Sequence, residues 1–186
     1  MSVTHIASRA LGLVVECLEA LRRVISWFEE ARRSPRSVTV TEVARRIASP
    51  RSHGGSAEAG RRAHNVWGDP FDACSRAEHW TPLPLAYRLE GVWIYGVADL
   101  VRFVNGVPLE VVELKYYENP DRYSIAQVRI YAWLTARCFA CRPRAYLVLG
   151  WDGRRYGHRL EVEYTPEEVE GEVKSVLRRL EGLNKA

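Results

Sequence analysis

The sequence lacks any apolar run that approaches the length of a membrane span. No secretory leader pattern opens it: the early apolar residues are interspersed with His5, Arg9, Glu16 and Glu19. An intracellular, cytoplasmic protein without a membrane partner is therefore expected. Glutamine is almost absent, Gln127 being the only one, and Arg far outnumbers Asn, a bias that suits a thermophile. Cysteine is sparse as well. Of Cys17, Cys74, Cys138 and Cys141, only the last two have close metal-type spacing, whereas a structural zinc or cluster site usually needs four ligands. Unpaired, buried thiols are the expectation in an intracellular chain. There is no internal repeat and no linker long enough to separate domains. The 186 residues, 47% of them hydrophobic and 27% charged, read as one domain. A net charge of +4 is compatible with a polyanionic partner but does not single one out.

What is present reads as helices, then strands interleaved with helices. Apolar residues from Ile6 to Phe28 recur at spacings of three and four, predicting a helix over about Thr4–Arg32 that Ser34-Pro35 ends. Its length would also allow contact with a second copy. Thr41 is a candidate cap for a short helix over Glu42–Ile47, and Ser56 for another over about Ala57–Trp67, which carries His64. Strands are expected over Leu83–Leu89, Val92–Val104 and Leu109–Tyr117. Asn119-Pro120-Asp121 then opens a helix to about Phe139. Two more strands follow, over Arg144–Trp151 and Tyr156–Tyr164, and Thr165-Pro166-Glu167-Glu168 starts a last helix. Residues 1–70 are thus mainly helical, 81–164 form a sheet core with a crossover helix, and 165–186 a C-terminal helix. A strand–helix–strand crossover implies a mixed sheet covered by helices, hence an α/β domain.

The chemistry concentrates between Gly96 and Lys115, where Asp99, Glu113 and Lys115 are set among Val, Leu, Phe and Ala. Buried carboxylates are costly unless paired or holding a cation. Glu113 and Lys115 alternate on one strand and leave the same face. Asp99 joins that face only in one register. A plain two-residue loop at Asn105-Gly106 pairs Val104 with Val107 and sets Asp99 opposite Val112, on the wrong side. A three-residue loop, or a one-residue bulge in either strand, sets it opposite Glu113. Asn-Gly suits the former, a type I turn with Gly in the left-handed position. In that register Asp99, Glu113 and the Leu114 carbonyl present oxygen ligands for Mg²⁺ or Mn²⁺. A buried Asp/Glu–Lys ion pair without a ligand fits the same spacing.

Asp99 followed after fourteen positions by Glu113-Leu-Lys115 resembles the PD-(D/E)xK nuclease superfamily. Further elements resemble its RecB-like exonuclease branch, including the CRISPR-associated RecB-like nucleases. Gln127-Val-Arg-Ile-Tyr131 is similar to that branch's Gln-x-x-x-Tyr motif. The stretch Ser56–His64 is similar to the helix supplying its metal-binding histidine, and Thr39–Arg51 to the helix leading to its Cys-Pro-Arg element. The resemblance spans roughly residues 38–150. It implies a restriction-endonuclease-like fold and a divalent-metal-dependent deoxyribonuclease acting on single-stranded DNA or duplex ends. Metal would be held by His64, Asp99, Glu113 and Leu114, with His79 and then His53 as rivals to His64. Lys115 would assist the water, while Gln127 contacts a phosphate or base with Tyr131 beside it. A partner nuclease or helicase and roles in CRISPR adaptation or DNA repair belong to the same expectation. Ser49-Pro50-Arg51 stands where iron–sulfur members have Cys-Pro-Arg, and the C-terminal helix lacks their cysteines. No iron–sulfur cluster is therefore implied, short of an unusual one on Cys17, Cys74, Cys138 and Cys141.

Three functional readings follow. The first is the nuclease; the second is a nucleic-acid-binding or scaffold protein that keeps the fold without cutting. The third is a Holliday-junction resolvase, against which the histidine-bearing stretch and Gln-x-x-x-Tyr speak. Arg122, Arg129 and Lys115 add positive charge near the site, and Trp67, Trp80, Trp93 and Tyr116 are candidates to stack on unpaired bases.

Overall fold

The computed structural model describes residues 3–49, 68–151 and 157–183. His53, His64, Trp67 and the Ser56-capped stretch therefore lie outside the described residues. The first helix, α1 (Val3–Arg33), is followed by a three-residue strand, β1 (Ser37–Thr39), and by α2 (Val40–Ile47). Strand β1 is an addition to the sequence expectation, and the cap of α2 is Thr39 rather than Thr41. Its hydroxyl accepts from the Glu42 N–H while the Glu42 carboxylate accepts from the Thr39 N–H, a reciprocal capping box that starts the helix two residues early.

A short 3₁₀ turn at Pro70–Cys74 leads into β2 (Glu78–Leu89), β3 (Val92–Val104) and β4 (Val107–Leu114). Helix α3 (Arg122–Phe139) crosses to β5 (Arg144–Leu149), which is followed by β6 (His158–Val162) and α4 (Pro166–Leu183). Asp121 caps α3 by accepting from the Ser124 N–H at 2.7 Å, and Thr165 Oγ1 accepts from the Glu168 N–H at the start of α4.

The six strands form one mixed sheet. Strand β3 is its spine. One edge pairs antiparallel with β2 along its length; the other pairs parallel with β1 over Trp93–Tyr95, then antiparallel with β4 over Leu100–Val104. Strand β4 pairs parallel with β5, and β5 antiparallel with β6. The sheet is thus forked, with β1 and β4 leaving the same edge of β3 on either side of residues 96–99. The expected α/β class, a mixed sheet with flanking helices and a right-order crossover, is what the chain forms.

Side chains from all four helices enter one core with one face of the sheet, including Leu21, Val43, Trp133 and Val173. On the opposite face Leu100, Val112, Leu114, Tyr146 and Val148 form a smaller cluster with Trp151. A row of cross-strand neighbours borders it: Trp80 opposite Arg102, Arg102 opposite Glu110, and Glu110 opposite Arg144. Glu110 is buried and accepts from Arg102, Arg144 and Arg159, which satisfies a carboxylate that burial alone would penalise.

Cys17 and Cys74 correct the expectation of unpaired thiols. They are disulfide-bonded and tie α1 to the 3₁₀ turn across 57 residues of chain. Sequence spacing gave no signal for this pairing, because the contact is made only when α1 packs on the turn that precedes β2. Cys138 and Cys141 are free; burial pushes their thiols up to about 12 and about 11. An array using all four cysteines is not formed. Among the described residues, no helix is long and apolar enough to cross a membrane.

Candidate functional site

The hairpin that carries Asp99 and Glu113 turns through Asn105-Gly106, with Val104 paired to Val107. Both turn residues have positive φ, 50° and 79°, which is a two-residue turn matched to strand twist, and glycine takes the second position without steric cost. The expected three-residue loop is therefore not made. The register is shifted instead by a bulge: Arg102 faces Glu110 while Phe103 faces Pro108, which leaves Leu109 as the extra residue. Below the bulge Leu100 faces Val112, and continuing that register sets Asp99 across from Glu113. The alternative named from sequence, one extra residue in a strand, is the one realised. A second irregularity lies on the other edge, where Thr81 faces Val101 but Leu83 faces Ala98. Asp99 and Leu100 together oppose Pro82, so Asp99 sits in a locally widened stretch of β3.

Asp99 and Glu113 are 8% and 4% exposed. Asp99 Oδ2 accepts from the Leu114 N–H at 2.8 Å, so a side chain of one strand takes the backbone donor of the next where regular pairing stops. Lys115, just past the end of β4, donates from Nζ to Glu113 Oε1 at 2.8 Å and to Gln127 Oε1 at 2.9 Å. Gln127 lies in the second turn of α3 and is brought over the sheet by the β4–α3 crossover. Among the described residues, Glu113 Oε2 is buried without a hydrogen-bond partner, and the Lys115 ammonium faces both carboxylates.

The electrostatics follow from that imbalance. Burial and then the neighbouring Glu113 push the Asp99 carboxyl well above the ordinary carboxylate range, partly offset by Lys115 and the Leu114 N–H. Burial works against the Lys115 ammonium, but Glu113 and Asp99 outweigh it and hold the lysine above its ordinary value. Burial, then Glu113 and Asp99, also raise the Tyr131 hydroxyl well above a free phenol. Asp99 and Glu113 act on both Lys115 and Tyr131, which ties the four into a single cluster.

Tyr131 is placed by a feature the spacing argument left unused. A Cβ on Gly96 would lie 2.7 Å from Tyr131 Oη, and the hydroxyl is bonded by the Val97 backbone. The phenol thus fills the fork where β3 has lost β1 and not yet gained β4. The sequence signal was a glycine three positions before the aspartate. Tyr117 is a second omission. It shares parity with Glu113 and Lys115, is half-buried, and its hydroxyl stands 3.4 Å from Asp121 Oδ1 at the start of α3.

The other candidates divide. Leu114 supplies its N–H to Asp99 and sits between the two charged residues. His79 is buried elsewhere, with Nε2 2.9 Å from the Asp69 carbonyl, and does not join the cluster. Arg129 is turned toward α4, bonding Glu172 at 3.1 Å, and Trp93 is core, so neither is free to meet a substrate. Trp80 is covered by the Arg102 guanidinium, 5.8 Å from its ring centre. Tyr116 is exposed. Cavities of about 650 Å³ beside Arg142–Ala145 and about 450 Å³ beside Arg36–Val38 lie away from the cluster. Among the described residues, no group of three or more His, Cys, Asp and Glu side chains converges as a metal array. Compared with protein-family models, curated proteins and solved structures, the chain shows no match.

Proposed function

We propose that this chain is a divalent-metal-dependent deoxyribonuclease of the PD-(D/E)xK type, in the manner of the RecB-like exonucleases. The observation that carries the reading is the buried Asp99–Glu113 pair, faced by Lys115 and holding a carboxylate oxygen that no group among the described residues satisfies. A cation between the carboxylates removes both the unsatisfied oxygen and the excess negative charge. Its donors would be Asp99, Glu113 and the Leu114 carbonyl. His64 is the further ligand that the resemblance implies.

When bound, Mg²⁺ or Mn²⁺ polarises the scissile phosphate and lowers the pKa of the attacking water. The protein's own groups orient the reactants. Lys115 uses two of its three N–H groups on Glu113 and Gln127, and the third is aimed at the water or a non-bridging phosphate oxygen. Gln127 fixes the ammonium and turns its own amide N–H₂ toward the phosphate. The water gives up a proton to solvent as its oxygen bonds to phosphorus, the bond to the departing strand breaks, and the leaving oxygen takes a proton from solvent. Action at DNA ends follows from the resemblance, as does a partner nuclease or helicase. A cytoplasmic setting is compatible with the Cys17–Cys74 disulfide in a thermophile, where intracellular disulfides occur.

One observation favours a second reading. Lys115 closes an internal ion pair on Glu113, as an idle site would in a nucleic-acid-binding or scaffold protein that keeps the fold. Labelled single-stranded, duplex and four-way-junction DNA, incubated with Mn²⁺, Mg²⁺ or EDTA, separates the readings. The nuclease reading requires metal-dependent cleavage by wild type that Asp99→Ala and Lys115→Ala both abolish. No cleavage, or equal cleavage by both variants, defeats it, and cutting confined to junctions favours the resolvase.

A further inference from the structure

Glu110 and Glu113 lie an odd number of residues apart on β4, so their side chains leave opposite faces of the sheet. Glu113 is on the side of Lys115 and Gln127; Glu110 shares the other with Val112 and Tyr146. There Glu110 gathers three guanidinium groups around one buried negative charge. Arg102 from β3, Arg144 from β5 and Arg159 from β6 donate to it at 3.2, 3.2 and 2.7 Å.

The charges within that group do not balance. Arg102 turns two further nitrogens to Glu78, at 3.0 and 3.2 Å, and is thereby matched. Arg144 and Arg159 are left to share Glu110, although a single cation suffices to pair a buried carboxylate. Each commits one of a guanidinium's five N–H groups to Glu110. Among the described residues neither bonds a further acceptor. Both are nevertheless fixed. The Arg159 guanidinium stands 3.7 Å from the centre of the Tyr146 ring and that of Arg144 5.7 Å, so ring and carboxylate together hold them.

Their side chains remain 61% and 43% exposed, for Arg144 and Arg159 in turn. A guanidinium fixed by packing keeps its planar fork ready for a phosphate, with little rotamer entropy left to lose. With about half of each side chain open to solvent, the pair suits phosphates of a passing chain rather than an enclosed ion. We propose that Arg144 and Arg159, preset by Glu110 and Tyr146, bind backbone phosphates of a nucleic-acid strand on the sheet face opposite the hairpin cluster. This contact goes beyond the nuclease reading and holds whether or not the chain cuts. Glu161, the exposed cross-strand neighbour of Tyr146, bonds neither arginine and opposes such binding by its charge.

The test uses the full chain in EDTA, so that nothing is cut, with a fluorescein-labelled oligonucleotide as free strand and as duplex over a range of KCl. Arg144→Gln combined with Arg159→Gln is expected to raise Kd by about 10-fold or more. It should also flatten the slope of log K against log salt by about 1.4 for the strand and about 1.8 for the duplex, as two lost phosphate contacts require. Arg144→Lys should keep the slope, and Glu161→Gln, which touches none of these bonds, should lower Kd. A purely structural ion network would lower Tm in the double variant yet leave Kd and slope unchanged, and that result overturns the proposal. So does a Glu161→Gln chain that binds no more tightly. Inorganic phosphate that displaces the oligonucleotide at equal phosphate concentration also overturns it, by marking a site for free phosphate. If the double variant does not fold, Arg144→Gln alone, at the most exposed of the three arginines, decides through half the change in slope. Wild type that binds in this way but cuts nothing in Mn²⁺ sinks the nuclease reading alone; one that cuts while the double variant binds normally sinks this contact alone.

Discussion

Replacing Lys115 with methionine removes the ammonium that faces Asp99 and Glu113 while keeping most of the side chain's volume. Lys115 is 15% exposed and Glu113 5%, so solvent screens the pair poorly. Breaking a buried ion pair from one side typically costs about 3–5 kcal/mol, because the surviving charge is left uncompensated. For a chain of this size that corresponds to a fall in Tm of about 6–20 °C. The loss has two signatures that a mere packing defect lacks. Lowering the pH protonates the carboxylates and shrinks it. A divalent cation should restore part of it, about 2.7 kcal/mol at a hundred times its Kd, since a ligand that binds only the folded state stabilises by mass action. Urea denaturation of wild type and Lys115→Met, at two pH values and with or without Mn²⁺, reads all of this. A variant within about 0.5 kcal/mol of wild type at neutral pH, or a loss indifferent to both pH and Mn²⁺, refutes the proposed charge balance.

Three further outcomes are expected. The raised Asp99 carboxyl binds its proton more tightly in the folded chain than in the unfolded one, so metal-free stability should fall as pH rises from the ordinary carboxylate range toward the raised value; thermal melts should show that slope in wild type and lose it in Asp99→Asn. Gly96→Ala drives a methyl group to 2.7 Å from Tyr131 Oη and should cost about 1–3 kcal/mol, less in a Tyr131→Phe background, with equal costs in both arguing against a hydroxyl-filled fork. The Cys17–Cys74 bond closes a 57-residue separation, worth about 4 kcal/mol on loop entropy, so Cys74→Ser or a reductant should lower Tm by about 8–16 °C.

The elements with regular periodicity were legible in the sequence because their cause is local. The spacing from Ile6 to Phe28, the Asp121 and Thr165 caps and the alternation through β3 all express short-range chemistry, and the crossover topology follows from their order. The site was legible for a different reason. Two carboxylates and a lysine in apolar strands could share a face only with one extra residue, and Leu109 supplies it. What was not legible depends on partners distant in the chain. The Asn105-Gly106 dipeptide suits either loop length, so the extra residue could have fallen in the loop or in the strand. Strand β1 is three residues long and exists only by pairing with Trp93–Tyr95. The disulfide needs α1 laid against the turn at Cys74, and Gly96 has no role until Tyr131 arrives from α3. Gln127 reads from sequence as a phosphate contact, whereas in the fold its oxygen first holds Lys115.

The central claim is that Asp99 and Glu113 share a divalent cation, and direct titration tests it without any substrate. Isothermal titration of the metal-free chain with Mn²⁺ should show a site that both Asp99→Asn and Glu113→Gln abolish while each variant keeps its fold. No Mn²⁺ uptake by the wild type, or uptake that survives both substitutions, would contradict it.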